Sequence, residues 1–248
     1  MARKERNPTA ETLREIEASG DRFADWASQH ALLILAVVVG ILVIAAGGGL
    51  WMQHRSSERD AAADALAMAN SDYRLAMGAD PAGGAIAEPA NPDLGLRTRT
   101  EYLARFERLG REHGGTAAGS LAWLQAGNLA AELGRIEEAR GHFAAARASA
   151  AKHPEIASLA WMRMADMAES QGDWTAAAEA FEAAAEHPTF PLQATALSEA
   201  ARCWDAAGEA EKALATFQRL ESEFPDAVPV PSIAARMEEL RLELAQTR

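Results

Sequence analysis

Cysteine is nearly absent from this chain of 248 residues, in which Cys203 is the single example. One cysteine excludes an internal disulfide, and beside Trp204 in an apparent helix it is expected to be a small buried residue rather than a reactive thiol. The 6 histidines show no zinc-type spacing with one another or with Cys203, and no glycine-rich loop followed by Lys and Ser or Thr occurs to hold a phosphate. The sequence therefore predicts no catalytic residue, no metal site and no cofactor.

Basic residues are scarce relative to acidic ones. The chain has 24 lysines and arginines against 36 aspartates and glutamates, a formal net charge of −12 at pH 7. Nucleic-acid binding requires a basic face that neutralises phosphates, and no basic stripe occurs in this sequence. We therefore expect no nucleic-acid partner, and we interpret the acidic excess as a solvated surface. Because no catalytic motif occurs either, we expect no small-molecule substrate.

What the sequence does contain is one signature of four residues that recurs in the same register. Its members are Gly134, Ala139, Phe143 and Ala146, then Gly172, Ala177, Phe181 and Ala184, then Gly208, Ala213, Phe217 and Leu220. We expect the glycine to end one helix, the alanine to allow close approach of the next, and the phenylalanine to fill the space between neighbouring pairs. A repeat period of about 20 to 50 residues is typical of a solenoid, whose function is binding.

These repeats resemble the tetratricopeptide repeat, a helix-turn-helix unit of about 34 residues. Trp123 and Trp161 occupy the tryptophan position of that family's first helix, and Gly127 occupies its glycine position. The resemblance implies an all-α fold, with an α-solenoid of tetratricopeptide-like helical hairpins over 97–248. A helix over about 232–246 is expected to cap its C-terminal end, since solenoids need a cover for the last repeat.

The longest apolar run lies near the N-terminus, from Ala31 to Met52, and carries no charged residue. At about 1.5 Å rise per residue, such a helix is about 33 Å long and spans a hydrocarbon core of about 30 Å. Trp26 and Trp51 lie near its two ends, where indole rings favour the headgroup level. We therefore expect a transmembrane helix over 31–53 that contacts the lipid bilayer through residues 31–52, rather than a cleaved signal peptide.

The residues before this run predict its orientation. Close to the run the count of arginines is even, with Arg14 and Arg22 before it and Arg55 and Arg59 after it. The further basic residues Arg3, Lys4 and Arg6 favour the cytoplasmic side of a membrane for the N-terminus, because that side is enriched in lysine and arginine. We therefore expect residues 1–30 to be a cytoplasmic tail and the repeats to lie on the opposite side.

Residues 54–96 are expected to hold the first helix of a degenerate repeat, followed by a loop. The chain continues helically from the span to about Met77, and glycines and prolines crowd the stretch over 78–96. We interpret that stretch as a loop inserted between the two helices of the first repeat, with a functional lid as the alternative.

The concave face of such a solenoid, which the first helices line, is the expected partner-binding groove. Its predicted residues are Leu121, Leu124, Asn128, Leu159, Met162, Asp166, Glu169, Arg202 and Asp205. An apolar groove with acidic neighbours suits an extended, apolar or mildly basic polypeptide. The alternative is that the leucines and the methionine simply pack between helices. A clamp for a terminal carboxylate is not expected, because Leu124, Asp166 and Ser198 replace groups that would have to be basic or amide.

The order of parts resembles one family of membrane proteins. The chain has a short charged tail, a single span, a helix that runs on from it, an alanine-rich repeat domain and a small terminal helix. This order resembles the ancillary subunit of the bacterial SecYEG translocon, and the resemblance in sequence is strongest from Arg55 through Ala146. The resemblance implies a single-pass inner-membrane protein with a periplasmic repeat domain and no enzymatic activity. Its partners would be proteins: translocon subunits, periplasmic chaperones or exported polypeptides.

A second interpretation belongs to a different class of protein. The segment from Phe217 to Pro225, Phe-Gln-Arg-Leu-Glu-Ser-Glu-Phe-Pro, resembles repeats in periplasmic adaptors. It implies an envelope scaffold that coordinates cell-wall synthesis, division or outer-membrane assembly. Such adaptors usually carry cleaved signals, so a mature N-terminus beyond residue 50 would favour this alternative.

Overall fold

The computed structural model describes residues 31–79 and 89–246, with side chains from residue 53 onward. The tail predicted over 1–30 lies outside the described residues. The chain divides into two compact units, Met1–Ser57 and Glu58–Arg248, and the repeats belong to the second unit. All regular structure in the described ranges is helical.

Nine helices occur in these ranges and are numbered here in chain order. They are α1 (Ala31–Ala76), α2 (Pro92–Glu112), α3 (Ala117–Glu132), α4 (Ile136–Ser149), α5 (Pro154–Ser170), α6 (Trp174–Ala185), α7 (Gln193–Ala206), α8 (Ala210–Glu223) and α9 (Pro231–Gln246). Helices α3 and α4, α5 and α6, and α7 and α8 form three hairpins, each packed against the next, and α9 packs on α8. The predicted all-α solenoid with a C-terminal helix is confirmed for the repeat unit.

Each hairpin turns at the glycine of the repeated signature. Gly134, Gly172 and Gly208 have φ angles of 72°, 76° and 81°, in the left-handed region that is open to glycine at little cost. After each glycine, the next backbone N–H donates to a carbonyl in the last turn of the preceding helix. Arg135 N, for example, lies 2.9 Å from Ala130 O. The role predicted for the glycines is therefore confirmed.

The other signature residues form the interior of the solenoid. The alanines that follow the turns are fully buried, and the phenylalanines are at most 2% exposed: Ala139, Ala177 and Ala213, then Phe143, Phe181 and Phe217. Gly127 in α3 leaves room for the Phe143 ring, because a Cβ atom at Gly127 would lie only 2.4 Å from Phe143 Cε1. A large side chain of the second helix thus packs against a small residue of the first helix.

The buried side chains form two clusters that meet at α5. The N-terminal cluster extends from α1 to α5, and its large members are Tyr102, Leu103, Phe106, Leu124, Leu129, Phe143 and Met167. The C-terminal cluster extends from α5 to α9, and its large members are Phe181, Phe190, Leu197, Trp204, Leu214, Phe217, Leu220, Ile233, Met237 and Leu240. Leu159 of α5 packs against both clusters. This continuity through one helix is how neighbouring repeats stabilise each other.

Helix α1 includes the apolar run 31–52, on which the predicted transmembrane helix falls, and the side chains of this run lie outside the described part of the chain. Among the described residues, no helix combines the length and the apolarity needed to cross a membrane. The later part of α1 belongs to the repeat unit. Asp72 pairs with Arg105 of α2 at 2.8 Å, and the Tyr73 and Tyr102 rings are 5.4 Å apart.

The loop predicted over 78–96 extends too far at its C-terminal end, because α2 begins at Pro92. Proline is well suited to the first turn of a helix, where its missing N–H would have no partner within the helix. Asn91 caps the same end, since its Oδ1 accepts a hydrogen bond from Asp93 N at 3.1 Å. Treating Pro92 as a helix breaker was therefore wrong. Residues 80–88 of the predicted loop lie outside the described residues.

Candidate functional site

The nine predicted groove residues all lie on α3, α5 and α7, the first helices of the three hairpins. The four apolar ones contact the core. Leu124 is buried, Leu121 packs on the N-terminal cluster, Met162 packs on the C-terminal cluster and Leu159 packs on both. Contact between these side chains and a partner therefore stays a prediction.

Three of the five polar groove residues are held in ion pairs that bridge successive first helices. Arg202 of α7 reaches back to Glu169 of α5 at 2.6 Å. Asp205 of α7 accepts two hydrogen bonds from Arg236 of α9, from Nε at 3.0 Å and from Nη2 at 3.2 Å. The second pair repeats the first one hairpin later, so the two pairs form a ladder, here called the ion-pair ladder. Its members are Glu169, Arg202, Asp205 and Arg236.

The surroundings of Arg202 keep it firmly charged. Partial burial opposes the charge, but hydrogen bonds to Glu169 and to Glu199 outweigh it and raise the pKa of Arg202 above its ordinary value. The Arg202 Nε atom lies 2.7 Å from Glu199 Oε2, so one guanidinium holds two carboxylates. Arg202 is thus engaged within the fold, as Asp205 is through Arg236.

The ion-pair ladder is interrupted between α3 and α5. In the repeat register, Ala131 takes the place of Glu169 and Asp205, and Asp166 takes the place of Arg202. Neither the carboxylate nor the guanidinium needed for a bridge is present at this step. Asp166 pairs instead within its own helix, with Arg163 at 3.1 Å.

A cleft of about 640 Å³ lies at this interruption, and we call it the α3–α5 cleft. Its apolar lining includes Tyr73, Met77, Leu129, Phe143 and Met167. Its polar lining includes Arg99, Gln125, Asn128, Glu132, Arg163 and Asp166. Of the predicted groove residues, the fold thus brings Asn128 and Asp166 together here. Arg202 and Asp205 lie on α7 and do not line the cleft.

Charges around the α3–α5 cleft are balanced, whereas the predicted groove was expected to have acidic neighbours. Arg99 Nε lies 2.7 Å from Glu132 Oε2, and Arg163 pairs with Asp166 as described above. Asn128 adds an amide that donates to Gln125 at 3.4 Å. An apolar floor with amides and paired charges at its edge suits an extended polypeptide, whose backbone needs donors and acceptors and whose apolar side chains need cover.

Several residues of the cleft and of the ion-pair ladder were not predicted, for two different reasons. Only the positions that bind ligands in the resembling family were transferred, whereas Gln125 and Arg163 lie three residues before Asn128 and Asp166 on the same helix face. Arg236 was missed because α9 was treated as a cover and not as a further first helix. The spacing also differs, since Arg236 follows Arg202 by 34 residues whereas Arg202 follows Asp166 by 36.

The hairpin geometry agrees with a comparison of the sequence with known families. A tetratricopeptide repeat family model matches residues 124–189 and, one hairpin later, residues 162–228. This part of the chain is a tetratricopeptide-like repeat array. Repeats of this type are generally scaffolds for protein–protein interaction, and the match indicates no catalytic family. No curated protein matches the sequence significantly.

The solved structures similar to this chain include the following two. One is a kinesin light chain protein from Podosopora anserina with nearly identical TPR-like repeats, at 16% identity and a TM-score of 0.42, covering 60% of this chain and 81% of that one. The other is BtubC (BKLC) from P. vanneervenii, at 16% identity and a TM-score of 0.43, covering 67% of this chain and 77% of that one.

Cys203 of the repeat array is fully buried, and we predict that it reacts slowly with thiol reagents. Burial raises the pKa of the Cys203 thiol from 9.0 to about 11, and the nearby positive charge of Arg202 lowers it only in part. A rise of this size lowers the thiolate fraction at pH 8 about 100-fold. Reaction with a chromogenic disulfide should therefore be at least 100-fold slower in the native protein than in urea, and should accelerate as pH rises toward 11. Equal rates in both states would contradict this prediction.

Proposed function

We propose that the α3–α5 cleft binds an extended segment of a protein partner. The observation that carries this proposal is the interruption of the ion-pair ladder. Between α5 and α7, and between α7 and α9, charged pairs bridge the first helices, whereas Ala131 and Asp166 leave the α3 to α5 step without a bridge. The ladder ion pairs do not cross the cleft at that step, and the cleft has an apolar floor and polar groups at its edge.

We further propose that this interaction module is tethered to a membrane as an ancillary translocon subunit. The support is the uncharged run from Ala31 to Met52, which directly precedes the repeat unit in sequence, together with the resemblance in order of parts to that family. The tail over 1–30 would then be cytoplasmic and the repeats periplasmic in a bacterial inner membrane. The bound segments would come from translocon subunits, periplasmic chaperones or newly exported polypeptides.

Site-specific photo-crosslinking in intact cells tests both levels of this proposal. A photoreactive residue at Asn128, in the cleft, is compared with one at Gly141, which is exposed on α4 and has no neighbouring atom within 4 Å of a Cβ position. We expect Asn128 to give translocon subunits, chaperones or exported chains that are absent from the Gly141 sample. Identical patterns at the two positions would refute the cleft as the binding site. Partners confined to other machinery would refute only the translocon role.

An envelope scaffold is the second candidate function, because of the segment from Phe217 to Pro225. In the fold, Phe217, Phe224 and Pro225 line a smaller cavity of about 460 Å³ beside Pro229. Crosslinks from Asn128 to proteins of cell-wall synthesis, division or outer-membrane assembly would favour this candidate. A mature N-terminus beyond residue 50, measured by mass spectrometry, would support it independently.

A further inference from the structure

Three potential metal ligands converge between α2 and α4, on the second helices of the first two repeats and away from the ion-pair ladder. Glu107 comes from α2, and Glu138 and His142 come from successive turns of α4. One atom from each residue lies within 4.8 Å of the other two. His142 Nε2 is 3.2 Å from Glu107 Oε1 and 3.8 Å from Glu138 Oε1. Because the ligands come from separate helices, no spacing rule applied to the sequence finds them, and the sequence analysis predicted no metal site.

The imidazole nitrogen at this point needs a partner. His142 is 9% exposed, and among the described residues its Nε2 makes no hydrogen bond, although Glu107 Oε1 is within reach. A buried polar nitrogen without a partner is rare in native proteins. The Glu107 oxygen lies off the direction along which an N–H would donate. An ion bound to this nitrogen would give it a partner and would take the two carboxylate oxygens as further ligands.

Packing holds the imidazole ring in this orientation. The Trp123 indole of α3 stacks on the His142 ring, with centroids 5.6 Å apart and an angle of 24° between the planes. Gly110 of α2 makes room for that indole, because a Cβ atom there would lie 2.6 Å from Trp123 Cε2. A ligand whose rotamer is fixed by its neighbours is preorganised for a metal.

Each carboxylate is oriented by an arginine on its far oxygen. Arg111 lies 3.3 Å from Glu107 Oε2, and Arg135 lies 3.4 Å from Glu138 Oε2, so both Oε1 atoms are left toward His142. Outer partners of this kind fix the direction of ligating carboxylates. The same arginines offset part of the negative charge, and we therefore expect a site of moderate affinity.

We propose that Glu107, Glu138 and His142 bind a divalent transition-metal ion, for which Zn²⁺ is the best match. Zn²⁺ accepts imidazole nitrogen and carboxylate oxygen together at about 2.0–2.2 Å in tetrahedral geometry, with water able to complete three protein ligands. Ca²⁺ and Mg²⁺ prefer sets made only of oxygen, so a buried imidazole selects against them. The Glu138 side chain is 35% exposed, so a small rotation that keeps its pair with Arg135 would shorten the 3.8 Å between its Oε1 and His142 Nε2. A bound ion would tie α2 to α4 beside Phe143 of the α3–α5 cleft.

Zinc titration of the purified full chain in detergent, without a histidine tag, tests this site. Isothermal titration with Zn²⁺ should show one site whose affinity falls at least tenfold in Glu107→Gln and in His142→Gln. His153→Gln is the matched control, because His153 lies 3.7 Å from Glu155 and belongs to no group of three metal ligands among the described residues. It should bind as the wild type does. Unchanged affinity in both Glu107→Gln and His142→Gln, or no zinc binding by the wild type, would overturn the proposal.

Thermal unfolding provides a readout that does not depend on His142→Gln folding correctly. Zn²⁺ should raise the Tm of the wild type and of His153→Gln, and should raise it much less for Glu107→Gln and Glu138→Gln, whose side chains are partly exposed. Ca²⁺ at the same concentration should leave the wild-type Tm unchanged. Equal stabilisation by Ca²⁺, or equal zinc shifts in wild type and both glutamine variants, would refute a zinc site made by these residues. Neither result bears on the cleft crosslinks.

Discussion

Replacement of Phe181 with alanine is expected to lower the free energy of unfolding by about 3–5 kcal/mol, the largest effect among the variants considered. Phe181 is 2% exposed and belongs to the C-terminal cluster, where its ring fills the space between α6 and its neighbours. Removing the ring loses its transfer free energy and leaves a cavity that rigid neighbouring helices fill only in part. Urea unfolding followed by circular dichroism measures the change.

The same substitution should act on one end of the solenoid more than on the other. In a repeat protein each unit contacts only its neighbours, so the loss of free energy is local and spreads through the shared helix α5. Phe106→Ala is the matched variant, because Phe106 is 1% exposed in the N-terminal cluster.

Hydrogen exchange measured by mass spectrometry locates these effects along the chain. Phe181→Ala should reduce protection most in α6 to α9, and Phe106→Ala should reduce it most in α2 to α4. If each variant lowers protection equally in both clusters, the repeat unit unfolds as one cooperative body and the local model is wrong.

Gly127→Ala is expected to destabilise the protein by about 1–3 kcal/mol, although alanine is the better helix former. The new Cβ would lie 2.4 Å from Phe143 Cε1 and 2.5 Å from its Cδ1, closer than van der Waals contact allows. Phe143 is 1% exposed and has little room to move, so α3 and α4 must separate. The change in free energy of unfolding is again measured in urea.

Gly141→Ala supplies the control for this prediction. Gly141 lies within α4, is exposed, and has no neighbouring atom within 4 Å of a Cβ position. With no contact to disturb, the alanine should stabilise the helix by up to about 1 kcal/mol. Opposite signs at the two positions would show that packing against Phe143, and not helix propensity, requires glycine at position 127. Stabilisation by both substitutions would contradict the close approach of α3 and α4.

Rules that apply to a single residue predicted the local structure correctly wherever that residue type has only one structural effect. A glycine that ends a helix needs a positive φ, and Gly134, Gly172 and Gly208 have it. An alanine that allows close approach must be buried, and Ala139 and Ala177 are. Pro92 shows the limit of such rules, because proline is equally suited to ending a helix and to starting one, and only the Asn91 cap shows which occurs.

The repeat register predicted where the residues of the binding face lie, but it did not predict which of their charges are paired within the fold. It placed Asn128, Asp166 and Arg202 on equivalent first-helix positions, and the structure has them on α3, α5 and α7. Whether each charge is available to a partner depends on the residue opposite it. Arg202 faces Glu169, whereas Asp166 has Ala131 at the corresponding place. Electrostatic pairing acts between helices and is therefore not a property of any single segment.

The sequence by itself determined the periodic features of this protein: the helical hairpins, their glycine turns, the buried alanine and phenylalanine positions and the helix that covers the last repeat. These follow from backbone conformation and from a period, which neighbouring residues encode. Only the tertiary structure decided where the ion-pair ladder breaks and which side chains meet Glu107, Glu138 and His142. Those arrangements join residues about 30 positions apart, and their geometry depends on how closely successive helices pack.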